Sequence, residues 1–445
     1  MTRALGGVAC LAICARIACG ADSCDTRAAK KNEEFARSGR HSYLASVEHQ
    51  QDVELARTWC RIFETKGIDR AQKGIDFGRV LFTGDGLHPS AGGIVPGSGF
   101  AGGLVYNLDR ATSEPAIRYG ASAEARGSYN GFWEAGGKLD IFGAGNSPQN
   151  RHIHATIDAE HLSLPQLSYS GQGNGSSLAN ESLFGLVQTT AGGHLDVPLP
   201  GGFVVYGGLA GLWNTPSGVP GASLPSIEQK FIAAEAPGLA SATGYVVTGG
   251  GVEWMYPVAP RLNGFASTLT TGFRFFHEAT GAPYSFRRLD AVWINRYSPP
   301  THVDLGTISA TARFVEAYAT GGNQMPFYLQ PTIGGNDIGN VDMLRSYRDY
   351  RFRAPNLLVF QTEYTHAIWG PLAVLGFYDT GRVAERRSDI GISQMHHSFG
   401  AGLVVQLGGA PLLKFYYAWG GPEGSHTTYT ANTNNFTIGA PAGVF

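Results

Sequence analysis

From residue 92 onward the chain is a succession of runs in which apolar and polar residues alternate, each about ten residues long and parted from the next by Gly, Pro, Asn and Asp. A strand turns successive side chains to opposite faces, so period-two alternation predicts a sheet between an apolar and a polar medium. Over 398–407, Phe399, Ala401, Leu403, Val405 and Leu407 point one way and Ser398, Gly400, Gly402, Val404 and Gln406 the other. Over 413–419, Leu413, Phe415, Tyr417 and Trp419 alternate with Lys414, Tyr416 and Ala418, which sends Lys414 to a lumen and the aromatics to lipid or its interface. Over 288–297, Leu289, Ala291, Trp293 and Tyr297 should face lipid and Arg288, Asp290 and Arg296 the lumen, because a charge at the bilayer midplane costs about 2–4 kcal/mol. In 357–364, Leu358, Phe360, Thr362 and Tyr364 oppose Val359, Gln361 and Glu363, and the next strand, 373–379, ends on Asp379.

Roughly fifteen such runs fall between residues 99 and 445, and closure of a bacterial barrel favours an even count. The expected fold is therefore all-β: a transmembrane antiparallel β-barrel of roughly 16 strands over 74–445, with one further strand near 75–82 or 92–95. Long connections are expected at 214–240 and 320–350, on the outer side of the membrane where such barrels keep their longer loops. Residues 338–342 read as a small insertion in the second of these. No internal repeat of fixed period is present.

Composition strengthens this picture. Glycine supplies 62 of 445 residues, about twice its usual share, while 11% are aromatic and only 15% charged. After the N-terminus no stretch holds the roughly eighteen uninterrupted apolar residues of a membrane helix, so a bilayer would be crossed by a closed sheet. A formal net charge of -2 argues against a nucleic-acid partner. Residues 1–20 read as a signal peptide, with Arg3 as the charged flank, 4–17 as the apolar region and 18–20 as a small-residue cleavage site, although Arg16 is an awkward charge within it. Residues 21–73 read as a polar, helix-prone periplasmic segment with a weak amphipathic run at 53–63. Its Cys24 and Cys60 would sit in an oxidising compartment, as one disulfide or as two free thiols.

Candidate chemistry is sparse. Residues 97–102 match G-x-G-x-x-G, but neither the buried strand before nor the helix after that a dinucleotide site needs is expected there. His152 with His154, and His396 with His397, supply pairs of potential metal ligands with no third group converging on them, and read as solvated histidines at loop ends. No G-x-S-x-G elbow or Ser/His pairing stands out, so neither a catalytic residue, a metal nor a cofactor is expected.

One stretch is dense in charge. Residues 343–353, MLRSYRDYRFR, hold four arginines, two tyrosines and an aspartate, just before the strands that carry Glu363 and Asp379. A cation at Arg345 on the long loop can fold back inside and meet either carboxylate. This arrangement resembles the BamA-like family of outer-membrane assembly barrels, the bacterial surface antigen family, on Leu344, Arg345, Ser346 and Tyr347 and on Phe377, Asp379 and Gly381. In that family a Leu/Val-Arg-Gly-Tyr/Phe loop motif sends its arginine into the barrel to pair with the aspartate of a Phe-x-Asp-x-Gly strand. Ser346 stands where the family prefers glycine. The resemblance extends through 284–290, 326–335 and 348–353 and covers roughly the last three quarters of the chain.

The resemblance implies a location in the bacterial outer membrane and a role in insertion or translocation of protein, or of lipid, without covalent chemistry. It implies outer-membrane lipid, unfolded outer-membrane proteins and periplasmic accessory proteins as partners. Residues 21–73 are too few for the family's POTRA module, so a POTRA-less form is expected. A passive pore or structural barrel is the alternative, since fold does not fix function. The chain closes on NNFTIGAPAGVF, where Phe436 and Ile438 keep the outward alternation, Pro441 has no amide hydrogen for a ladder, and Phe445 is the terminal aromatic that such barrels use as an assembly signal. The expected closing seam is weak.

Overall fold

The computed structural model of the chain describes residues 86–111, 117–143, 153–239, 241–256, 264–299, 306–339, 341–369, 372–407, 410–420, 423 and 426–431, together with Asn32 and Val53. Among the described residues one sheet of 16 strands accounts for nearly all regular structure. Its strands are β1 (Gly86–Gly92), β2 (Ala101–Ala111), β3 (Arg118–Ser128), β4 (Trp133–Phe142), β5 (His154–Tyr169), β6 (Ser182–Leu199), β7 (Phe203–Gly218), β8 (Thr243–Tyr256), β9 (Phe265–Glu278), β10 (Phe286–Tyr297), β11 (Thr307–Tyr318), β14 (Asn356–Trp369), β15 (Leu372–Ala384), β16 (His396–Leu407), β17 (Ala410–Trp419) and β18 (His426–Ala431). Each pairs antiparallel with its neighbour in this order, and β11 passes directly to β14. The two strands skipped, β12 (Thr332–Ile333) and β13 (Phe352–Arg353), form a separate small ladder within the intervening loop.

Alternation decides which face meets which medium. Large apolar side chains stand exposed along one face, among them Leu104, Tyr106, Trp133, Ile157, Leu209, Trp293, Phe360, Phe399 and Phe415. A water-soluble protein does not display apolar side chains on this scale, so this face meets lipid. On β10, Trp293 and Tyr297 are exposed on the outer face. Arg288 and Asp290 of the same strand turn inward, where Asp290 accepts from Arg288 Nε at 2.9 Å and from Arg274 Nη1 of β9 at 2.9 Å, while Arg287, at the end of the strand, lies outside against Phe275 and Tyr318. Tyr206 of β7 lies inward across Gly251 and Gly272. A Cβ on either glycine would come within 2.5 and 2.7 Å of its hydroxyl oxygen, and that hydroxyl donates to Thr271 O at 2.8 Å. Part of the glycine excess thus makes room for aromatic rings laid along the wall.

The strand expected near 75–82 or 92–95 is described as β1, which ends at Gly92, while 75–82 lie outside the described residues. Two expectations need correction. Residues 214–218, read as loop because of their Pro and Gly, continue β7, and Pro216 faces Leu186 across the ladder. That connection is therefore 219–242 and carries the short helix α1 (Ile227–Lys230). The interior is also not polar throughout. One apolar cluster inside joins Phe184, Ile227, Phe327, Tyr328 and Tyr350, and another joins Ile333, Leu344, Tyr347, Phe352, Val359 and Val383. Both depend on the loop between β11 and β14, so the loop packs as a core element.

β1 and β18 stand at the two ends of the strand order and are not paired with each other among the described residues. Residues 432–445, with Phe436, Ile438, Pro441 and Phe445, lie outside the described residues, as do the signal peptide, Cys24 and Cys60.

The alternation of β10 can be tested by labelling. Cysteines introduced at Leu289, Trp293 and Tyr297 should react with a lipid-phase reagent, and cysteines at Arg288, Asp290 and Arg296 with a water-soluble one. Labelling of the second set from the lipid phase would place the strand one residue out of register.

Candidate functional site

The loop leaves β11 after Tyr318 and rejoins the wall at Asn356. Short-range hydrogen bonds shape it first. Asp337 Oδ1 accepts from Val341 N at 2.9 Å, tying together the ends of the stretch 338–342 that reads as an insertion. Gly335 N donates to Leu344 O at 2.9 Å and Met343 N returns to Gly335 O at 2.8 Å. Asp349 Oδ1 accepts from Asn336 N at 2.8 Å. Gly335 holds φ +52, and a Cβ there would collide with Asp349, so this corner requires glycine. The resulting hairpin presents Leu344 and Arg345 to the wall. Leu344 is wholly buried, worth about 1.5–3 kcal/mol relative to exposure.

Arg345 follows it inside. Its Nε donates to Asp379 Oδ2 at 2.9 Å and its Nη2 to Asp379 Oδ1 at 2.8 Å, a two-pronged contact. Nη1 donates to Glu363 Oε2 at 2.5 Å, and the Arg345 backbone N–H adds a 3.3 Å bond to Asp379. The guanidinium lies 3.6 Å from the centre of the Phe377 ring. Phe377 in turn lies over Gly400, where a Cβ would come within 2.5 Å of the ring. Burial pulls the Arg345 pKa down, but the hydrogen bond and charge of Asp379 with the charges of Glu363 and Asp342 raise it above the ordinary arginine value. Lys414 Nζ, 3.3 Å from Glu363 Oε1, supplies a second cation. Arg345 and Lys414 thus face Glu363 and Asp379, with Asp342 beside them, in a site where the Asp379 side chain is 0% exposed and that of Arg345 3%.

The other motif residues serve the same contact. Ser346 N donates to Ser398 Oγ at 2.8 Å. Tyr350 and Gln394 are the non-glycine residues with positive φ among the described residues, so Ser346 occupies a conformation open to any side chain. The serine in the glycine position therefore strains nothing in the backbone. Tyr347 packs edge-on to Phe352 and His396. Gly381 serves the wall, where a Cβ would come within 2.8 Å of Val359 Cγ2. Sequence reasoning missed Gln361, whose Nε2 donates to the Asp342 and Met343 carbonyls at 3.0 and 3.1 Å and to Asp379 Oδ1 at 3.4 Å. Its inward parity was readable, but its position opposite Asp379 is a matter of register.

Beyond the motif, adjacent loop residues reach opposite ends of the strand order. Tyr350, at φ +59, donates through its hydroxyl to Pro96 O at 3.0 Å, in the connection between β1 and β2. Arg351 Nε donates to both carboxylate oxygens of Glu423, at 2.6 and 2.7 Å, in the connection between β17 and β18. Arg351 also donates from Nη1 to Ser176 Oγ at 2.9 Å. One loop touching both ends means that the sheet curls around it.

The histidines differ from expectation. His154 is held between carboxylates, with Nδ1 3.1 Å from Asp196 Oδ2 and Nε2 2.9 Å from Asp140 Oδ1, and its ring stacks on Phe142. It is the first residue of β5, half-buried on the inner wall and held by the two carboxylates, not solvated. His396 stacks on Phe352 at 3.9 Å and its Nε2 lies 2.9 Å from Asn174 O, whereas His397 meets Tyr378 on the outer face. His152 lies outside the described residues. No group of three or more His, Cys, Asp or Glu able to hold a metal occurs among the described residues. Residues 97–102 run into β2, so no helix follows the glycines to receive a phosphate.

An antiparallel meander with an apolar outer face, a charged inner wall and a loop folded inside defines a transmembrane β-barrel of the bacterial outer-membrane type. Among solved structures, the chain is similar to BamA from Haemophilus ducreyi lacking POTRA domains 1–3, at 12% identity and a TM-score of 0.48, over 77% of this chain and 68% of that one. It is also similar to CdiB from Acinetobacter baumannii, at 10% identity and 0.44 over 77% of this chain, and to CdiB from Escherichia coli, at 12% and 0.46 over 78%. The chain spans 58% and 62% of those two CdiB chains. No family model and no curated protein matches it.

Two predictions follow from the geometry. Arg345→Ala and Asp379→Asn should each lower the unfolding free energy by about 3–5 kcal/mol, since each strands a buried charge. The double variant should cost less than the sum, and an unshifted urea midpoint for either single variant would contradict the coupling. Separately, Glu423→Gln combined with Tyr350→Phe should speed amide exchange in β1 and β18 and leave β7 and β8 unchanged. Equal protection in both pairs would mean that the loop does not restrain the ends of the sheet.

Proposed function

We propose that the protein is an outer-membrane barrel that assists the insertion or translocation of protein, or of lipid, at the bacterial outer membrane, with no covalent chemistry. The observation that carries this reading is Arg345, a cation of the long loop buried between Asp379 and Glu363 on the inner wall. A channel for passive diffusion is served by an unobstructed lumen. Here the loop fills part of the interior with apolar clusters around Leu344 and Phe327. A second support lies at the ends of the strand order. β1 and β18 are not paired with each other among the described residues. A strand edge that is not closed by its neighbour is a template for an incoming strand. Tyr350 and Arg351 hold both terminal hairpins from inside, so the state of the loop and the freedom of those edges are linked.

The partners of such a function are outer-membrane lipid, unfolded outer-membrane proteins and periplasmic accessory proteins. Depleting the protein should remove particular proteins or lipids from the outer membrane, and Arg345→Ala should reproduce the loss in part. An unchanged outer-membrane profile with altered uptake of small solutes would instead support a passive pore.

A further inference from the structure

A cavity of about 360 Å³ lies inside the barrel, between the loop and the wall formed by β7, β9 and β10. Leu212, Phe276 and Phe286 give it an apolar side, and Arg274, Arg288 and Arg353 line it with guanidinium groups. Arg274 and Arg288 share the carboxylate of Asp290. Asp337, which also lines the cavity, already accepts from the Val341 backbone.

Arg353 stands apart. It is 5% exposed, its Nη1 donates to Phe327 O at 2.8 Å, and its Nε has no partner. The rings of Tyr169, Phe184 and Phe327 lie 5.7 to 5.9 Å from its guanidinium carbon, and no carboxylate pairs with it among the described residues. A buried charge without a counter-charge is the costly half of an ion pair. Gln330 lines the same cavity, also 5% exposed, with Nε2 donating to Met325 O at 3.2 Å and Oε1 unpartnered. One cavity is therefore lined by Arg353 with an unpartnered donor, by Gln330 with an unpartnered acceptor, and by an apolar wall. Buried polar groups are rarely left in this condition unless a ligand or water completes them, and the apolar side favours an organic ligand.

We propose that this cavity binds a short amphipathic carboxylate that also carries a hydroxyl group. The carboxylate meets Arg353, the hydroxyl donates to Gln330 Oε1, and the aliphatic part lies against Leu212, Phe276 and Phe286. The site is independent of the assembly role, since none of these residues takes part in the Arg345 contact.

Calorimetric titration of the full chain in lipid nanodiscs with 2-hydroxyhexanoate tests this directly. Saturable binding at one site is expected, at least about tenfold tighter than for 1-hexanol, which lacks the charge-assisted hydrogen bond, or for inorganic phosphate, which lacks the apolar chain, since either is worth that factor. Hexanoate, lacking the hydroxyl, should bind severalfold more weakly. Arg353→Gln should weaken 2-hydroxyhexanoate at least about tenfold and abolish the rise in melting temperature that it gives the unaltered protein. Leu212→Trp, which fills the cavity and keeps the cation, should also abolish binding, and it decides the matter if Arg353→Gln does not fold. Absence of binding to the unaltered protein, undiminished binding to Leu212→Trp, or phosphate binding as tight as the hydroxy acid would each overturn the proposal.

Discussion

A guanidinium taken out of water must be compensated within hydrogen-bond reach, and Arg345 meets that requirement with two carboxylates on adjacent strands. Much of the surrounding architecture follows. β14 and β15 must present Glu363 and Asp379 to the interior, which fixes the parity of both strands, because a slip of one residue would turn the acids toward lipid. Phe377 must lie flat beneath the guanidinium, which is feasible because its cross-strand neighbour is Gly400. Lys414, one strand beyond β16, faces Glu363 and gives it a second cation. The loop must then pass through the interior, since its arginine is fixed there.

Once inside, the loop changes what the interior is. Leu344, Tyr347 and Phe352 complete a core with Leu357, Val359 and Val383 of the wall, and Phe327, Tyr328 and Tyr350 complete another with residues of β5, β6 and α1. Burial of this kind resists small displacements, so the loop has a defined position. At its far end Tyr350 packs with Ile94 and Val95 of the connection that holds Pro96, and Arg351 makes a two-pronged contact with Glu423 and a further bond to Ser176. The loop is thus anchored at Arg345 and tied at its far end to connections at both ends of the strand order.

Period-two alternation was sufficient to give an all-β membrane barrel, its approximate strand count, the inward parity of Glu363, Asp379 and Lys414, and the loop that carries Arg345. These are local properties: each residue's face follows from its neighbours and from the cost of placing charge in lipid. Tertiary structure decided everything that depends on register or on distant segments meeting. It decided that Gln361 lies opposite Asp379, that His154 sits between Asp140 and Asp196, and that Pro216 belongs to a strand. It brought Arg351 to Glu423, 72 residues away, and left Arg353 buried without a carboxylate. Alternation repeats every two residues and is silent about which pair of strands is offset by how much, so a pattern that fixes the face of a side chain cannot fix its partner.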